Sequence, residues 1–166
     1  MTSEPNTLQE GDLAPLFNLP ANGALAVDGN FDLATALKET KSGLVLFFYP
    51  KDNTPGCTKE AIGFSEHLDA FEALGVKIVG MSADSLKKHD NFRTKHNLEV
   101  TLVSDEEKSA LNAFGVWVEK SMYGKKYMGI ERATYLIDAS GKISKIWRKV
   151  KVAGHVEEVL AACKEL

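Results

Sequence analysis

Six consecutive apolar residues, Leu44-Val45-Leu46-Phe47-Phe48-Tyr49, constrain this chain more than any other stretch. A run that short and uniform has no polar face to turn to water, so it reads as a strand buried on both sides. Such a strand needs one layer of structure above it and another below. The period then changes. Beyond a turn from Pro50 to Gly56, apolar residues recur at Ala61, Phe64, Leu68, Phe71 and Leu74, and steps of three and four give a helix one apolar face. Gly75 is the expected stop of that helix.

The rest of the chain repeats the alternation. Strands are expected at Val76 to Met81, Thr101 to Ser104 and Ala133 to Ile137, and helices at Phe31 to Leu37, Ser85 to His96, Glu106 to Phe114 and from His155 to the end. Leu16 to Leu19 and Ala24 to Val27 flank Pro20-Ala21-Asn22-Gly23 and read as an N-terminal hairpin. Asp138-Ala139-Ser140-Gly141 turns the last of those strands into a partner at Ile143 to Trp147. Glu119 to Gly129 is polar and Lys-rich and reads as a loop. Alternation implies parallel strands joined by crossover helices, and the late hairpin adds an antiparallel edge. The expected class is α/β: a central mixed β-sheet flanked by helices, with an N-terminal β-hairpin, which is the thioredoxin-like arrangement. The 166 residues suit one domain, with residues 1–7 as a loose polar tail.

Composition removes several function classes. The net charge is −3 with lysines scattered among acids, so nucleic acid is not an expected partner. No apolar run approaches the roughly 20 residues of a membrane helix. The opening MTSEPNTLQEGDLAP has neither a secretory nor a transit pattern, and the expected location is the cytoplasm. Two cysteines, Cys57 and Cys163, cannot form a disulfide framework. His67, His89, His96 and His155 do not fall with the cysteines at metal-ligand spacing, and His89 and His96 read as solvated residues on one helix face. No metal and no organic cofactor is expected. Lys120, Lys125 and Lys126 read as part of a solvated connection, with Trp117 and Tyr123 either bordering a pocket or packing.

Cys57 stands where strand gives way to helix. Thr54 is a favoured N-cap and Pro55 a favoured first helical residue, which puts Cys57 in the first turn. Unpaired backbone N–H groups and the positive end of the helix dipole meet there, and both stabilise a thiolate relative to a thiol. Gly56 leaves room for a small molecule beside the sulfur. The position also follows the C-terminal end of a buried strand, where α/β sheets place ligands. The plain alternative is a cysteine that only packs in a first helical turn.

Pro50-x-x-x-Thr54-x-x-Cys57 resembles the active-site motif of the peroxiredoxins, and FFYPKDNTPGCTKEAIGF resembles their Q-type, bacterioferritin comigratory branch. Gly11-Asp12-Leu13-Ala14-Pro15-Leu16-Phe17, the arginine-bearing Gly129 to Asp138 and Trp147 to Val152 with Gly154-His155 are similar to other motifs of that branch. The resemblance implies a thiol peroxidase acting on hydrogen peroxide and organic hydroperoxides. Cys57 would be the nucleophile and would become a sulfenic acid. Thr54 would orient the peroxide, Arg132 would hold positive charge beside thiolate and peroxide, Pro50 would shield the pocket, and Glu60 would orient Arg132 or another pocket group. Taken without the resemblance, Arg132 reads as a surface charge, Glu60 as a dipole complement and Pro50 as a strand terminator.

The chain departs from the branch at its second cysteine. Many members carry a resolving cysteine five residues after the first, where this chain has Ile62, or in the following helix, where Ser85 to His96 has none. Cys163 shares the apolar face of its helix with Val156, Val159 and Leu160 and is expected to pack. The implied cycle uses one cysteine and an external thiol: thioredoxin, glutaredoxin or a small thiol. A monomer or weak homodimer is expected. Two other functions compete. A thioredoxin-type disulfide exchanger is disfavoured by Thr54 in place of a cysteine and by the lack of a proline before Ala133. A non-enzymatic redox sensor or holdase would use the same cysteine without turnover.

Overall fold

A computed structural model describes residues 8–166; the N-terminal tail expected at residues 1–7 lies outside that range. The apolar run becomes β3 (Gly43–Phe48), and all six of its residues are buried. Its side chains alternate between two cores. Leu44, Leu46 and Phe48 enter one cluster with Leu33, Leu111 and Phe114. Val45, Phe47 and Tyr49 enter the other with Phe64, Phe71, Phe92 and Val159. This is the two-sided burial that the uniform run demands.

β3 lies inside a seven-stranded mixed sheet. The strands are β1 (Asn18–Asn22), β2 (Asn30–Asp32), β3, β4 (Val76–Ser82), β5 (Thr101–Ser104), β8 (Ala133–Asp138) and β9 (Ile143–Trp147). Their spatial order is β2-β1-β5-β4-β3-β8-β9. β4 runs parallel to both β3 and β5, while β8 is antiparallel to β3 and to β9. The helices are α1 (Leu33–Glu39), α2 (Pro55–Glu66), α3 (Leu68–Ala73), α4 (Leu86–His96), α5 (Ser109–Ala113) and α6 (His155–Cys163). Buried apolar residues of α1 and α5 join the first core and those of α2, α3, α4 and α6 the second. Among the described residues no helix is long and apolar enough to cross a membrane.

Four expectations change in detail. An N-terminal hairpin forms from other residues: β1 takes up Pro20 to Asn22, the residues expected to turn, its partner is β2 at Asn30–Asp32 instead of Ala24 to Val27, and β1 pairs onward with β5. The long helix after Cys57 breaks at His67, whose backbone N–H and ring Nδ1 both meet the Gly63 carbonyl, at 3.2 and 2.9 Å. A ring nitrogen competing for a helix carbonyl allows the chain to change direction there. The helix expected from Glu106 starts at Ser109, because Asp105 accepts from the Ser109 hydroxyl and the Leu111 N–H.

The expected loop at Glu119 to Gly129 is instead a separate hairpin, β6 (Trp117–Met122) and β7 (Lys125–Ile130). Tyr123 and Gly124 turn it with φ of 52° and 78°. Two positive φ values in a two-residue turn match the twist of a hairpin, and Gly supplies one without strain. Both strands are largely exposed and interleave apolar with charged residues, so no regular apolar alternation announces them. Trp117 packs against the first core, whereas Tyr123 stands in solvent at the tip.

Candidate active site

The N-terminus of α2 opens at the end of β3, at the junction read from the sequence. Thr54 has the extended backbone of an N-cap and Pro55 begins the helix, but the Thr54 hydroxyl donates to the Lys51 carbonyl at 2.8 Å and caps no helix N–H. The positive end of α2 thus stays open beside Cys57, which lies in its first turn and is 1% exposed. Pro50 stands two residues beyond β3, after Tyr49, and is half-buried.

Arg132 arrives from the start of β8, 75 residues away in sequence. Its Nη2 lies 3.4 Å from Cys57 Sγ, and its Nη1 donates to Glu60 Oε1 at 2.7 Å. Gly56 makes this approach possible: a Cβ there would stand 3.1 Å from Arg132 Nη2. The Val150 N–H donates to the Arg132 carbonyl at 3.0 Å, so the segment after β9 holds the backbone that carries the guanidinium. Behind it the His155 ring meets the Thr134 hydroxyl at 2.8 Å and stands edge-on to Trp147.

The electrostatics follow from burial and charge. Burial pushes the Glu60 carboxyl up to about 7, against the pull of Arg132. Its second oxygen, Oε2, is buried without a partner among the described residues. Burial works against the Arg132 charge, but Glu60 and Cys57 outweigh it and raise its affinity for the proton. A guanidinium held this way keeps a fixed positive charge at the sulfur and needs little reorganisation when negative charge develops there. His155 is held below its ordinary value, first by burial.

The five residues singled out from the sequence gather at one end of β3 and β8, with Cys57, Arg132 and Glu60 in direct contact. Lys120, solvated by its sequence context, departs from that expectation. It is half-buried on β6, and burial, then Arg132, lowers its ammonium while Cys57 draws it up. Only the hairpin brings it near the thiol, so no local signal pointed to it. His89 also departs from expectation. It is completely buried, bonded to Asp52 and to the Val103 carbonyl. Asp52, Asp84 and His89 place potential ligand atoms within 4.8 Å of one another. A cation there would have to displace the 2.6 Å contact between Asp52 and His89.

Cys163 is buried near the end of α6, in the same core as Cys57. Burial pushes its thiol up to about 12. Three residues later, Leu166 reaches within 3.2 Å of the Cβ position of Gly43, at the end of β3 far from Cys57. A six-residue strand spans roughly 16–20 Å, while a disulfide needs Cα atoms within about 7 Å.

Comparison with known proteins agrees with this arrangement. The AhpC/TSA family profile matches residues 11–146. A putative peroxiredoxin Bcp of Coxiella burnetii is 46% identical over 154 residues, 93% of this chain and 97% of the relative. A variant of PrxQ from Xylella fastidiosa superposes with a TM-score of 0.86 at 38% identity, over 96% of this chain and 98% of that one. The bacterioferritin comigratory protein of Xanthomonas campestris, solved in trapped intermediate and ligand complexes bearing on its alkyl peroxide reduction activity, gives a TM-score of 0.78 at 43% identity over 90% of each chain. Site, fold and relatives converge, and the chain belongs to the AhpC/TSA family, among its Bcp and PrxQ peroxiredoxins.

Proposed function

We propose that this peroxiredoxin reduces hydrogen peroxide and organic hydroperoxides by a one-cysteine cycle. The observation that carries the reading is the Arg132 guanidinium, 3.4 Å from Cys57 Sγ and tied by its other nitrogen to Glu60. The Cys57 thiolate attacks the terminal peroxide oxygen. An S–O bond forms, the O–O bond breaks, and the departing hydroxide or alkoxide takes up a proton, leaving a sulfenic acid and water or alcohol. Arg132 stabilises charge as it moves from sulfur to oxygen, the largest electrostatic contribution open to this site. Glu60 orients Arg132, Thr54 orients the peroxide, and Pro50 shields the pocket.

The sulfenic acid is then reduced from outside. A first thiol attacks its sulfur, releases water and forms a mixed disulfide; a second thiol frees Cys57. The burial of Cys163, three residues before Leu166 at the opposite end of β3, supports this external route. Thioredoxin, glutaredoxin or a small thiol would serve, in the cytoplasm, with residues 1–166 acting as one domain in a monomer or weak homodimer. The test is an intact mass spectrum after one equivalent of hydrogen peroxide with a sulfenic-acid trap. A trapped adduct on Cys57 is expected. Loss of about two mass units, the mark of an internal disulfide, would bring Cys163 into the cycle, and an unchanged mass in reduced, folded protein would end the peroxidase reading.

A further inference from the structure

The loop between β3 and α2 carries Pro50 and Thr54, and α4 grips it at two adjacent residues. His89 meets Asp52 Oδ2 through Nδ1 at 2.6 Å. Two turns on along the same face, His96 Nε2 meets Asn53 Oδ1 at 3.1 Å, where Asn53 holds a positive φ of 63°. The Asp52 N–H donates to Asp84 Oδ2 at 2.8 Å, and that oxygen also accepts from the Ser82 hydroxyl. The loop is therefore tied to β4, to the segment after it and to α4.

The chemistry of the His89 contacts leaves one hydrogen to assign. The Val103 carbonyl, 2.9 Å from Nε2, can only accept, so Nε2 carries a hydrogen. The Tyr49 hydroxyl lies 3.4 Å from His89 Nδ1 but only 2.6 Å from Asp52 Oδ1, so its hydrogen goes to Asp52 Oδ1. Burial, then Asp52, holds that hydroxyl well above its ordinary range, so Tyr49 stays a donor. A hydrogen must then lie between Asp52 Oδ2 and His89 Nδ1. Without it two lone pairs would face each other in a site where His89 is 0% exposed.

We propose that His89 is a positioning residue for the reaction at Cys57: through one hydrogen shared with Asp52 it clamps the β3–α2 loop, and with it Thr54 and the first turn of α2, in the shape the thiolate site requires. The inference rests on the peroxidase reading for its consequence and on the hydrogen-bond geometry for its cause. His89 touches no reacting atom and acts only through Asp52.

Two variants and the unaltered protein test it. His89→Leu removes the clamp. Asp52→Asn rebuilds it in neutral form, because the amide can donate to Nδ1 and accept from Tyr49. The readouts are the rate of Cys57 oxidation by hydrogen peroxide, amide exchange across residues 50–58, and the ring-proton NMR spectrum. His89→Leu should slow oxidation by about tenfold or more, as misplaced catalytic groups do, and should speed exchange at 50–58 but not in α6. Asp52→Asn should stay within about threefold of the unaltered rate with normal exchange. The unaltered protein should show two slowly exchanging low-field protons at the His89 ring, one at Nε2 and one shared at Nδ1, whereas Asp52→Asn should keep only the Nε2 proton. Folded His89→Leu with the unaltered rate and exchange would overturn the clamp; if that variant does not fold, absence of the proton at Nδ1 does the same. Failure of the unaltered protein to react with peroxide would sink the peroxidase reading instead, with exchange and NMR still deciding the clamp.

Discussion

Cys57 and Cys163 lie in the same apolar core, 1% and 3% exposed, and differ in what surrounds their sulfur. Cys57 sits in the first turn of α2 with a guanidinium 3.4 Å away. Cys163 ends α6, where the helix dipole is negative and burial alone sets the thiol, at about 12. Burial by itself makes a cysteine inert. Burial beside a fixed cation and an open helix N-terminus makes a dry site in which that cation acts at full strength.

The contrast can be broken from its active end. Arg132→Met should lower the rate of Cys57 oxidation by about 10²–10³-fold, the usual cost of removing one preorganised donor. It should also destabilise the fold, because Glu60 then lies buried and unpaired. Stopped-flow oxidation and urea unfolding read the two effects; a folded variant with the unaltered rate would make Cys57 reactive through the helix alone. Gly56→Ala separates position from charge. Its Cβ meets Arg132 Nη2 at 3.1 Å, so the guanidinium must shift by a few tenths of an ångström. Oxidation should slow by about tenfold, while stability holds or rises by up to about 1 kcal/mol, since Ala suits a helix better than Gly.

Glu60 sharpens the same comparison through pH. Unfolded, its carboxyl gives up the proton near 4.5; folded, near 7, because burial disfavours the anion. Between those values the folded state binds the extra proton, so this residue's stabilising contribution is full below 4.5 and is lost as pH rises through about 7. Urea midpoints should therefore fall from pH 5 to 8 more steeply in the unaltered protein than in Glu60→Gln, and parallel curves would contradict the assignment. Cys163→Ala carries the smallest expected effect on chemistry. Peroxide turnover with an external thiol should stay within about twofold, with about 1 kcal/mol of stability lost to the small cavity. Complete loss of turnover in folded protein would give Cys163 a part in the cycle.

Much of this was legible because the determinants are local. The apolar run at Leu44 announced a central strand, Thr54-Pro55 a helix start, and Asp138 to Gly141 a turn. What escaped has polar residues whose fate depends on distant partners. The β6–β7 hairpin has its apolar residues at its ends and exposed in its middle, without a regular period of two, and β1 ran through an apparent turn because β5 offered it an edge. His89 looked like a solvated helix residue because nothing near it in sequence reveals Asp52, 37 residues away, or the Val103 carbonyl.

By itself the sequence determined the order of strands and helices around Cys57 and the open helix terminus beneath it, since backbone propensity and hydrophobic period act over a few residues. The tertiary structure alone decided which charges meet. Arg132 reaches Cys57 across 75 residues and Glu60 across 72. Buried polar groups are tolerated only where a partner supplies the matching donor or charge, and that supply exists only once the sheet has brought β3, β8 and α2 together.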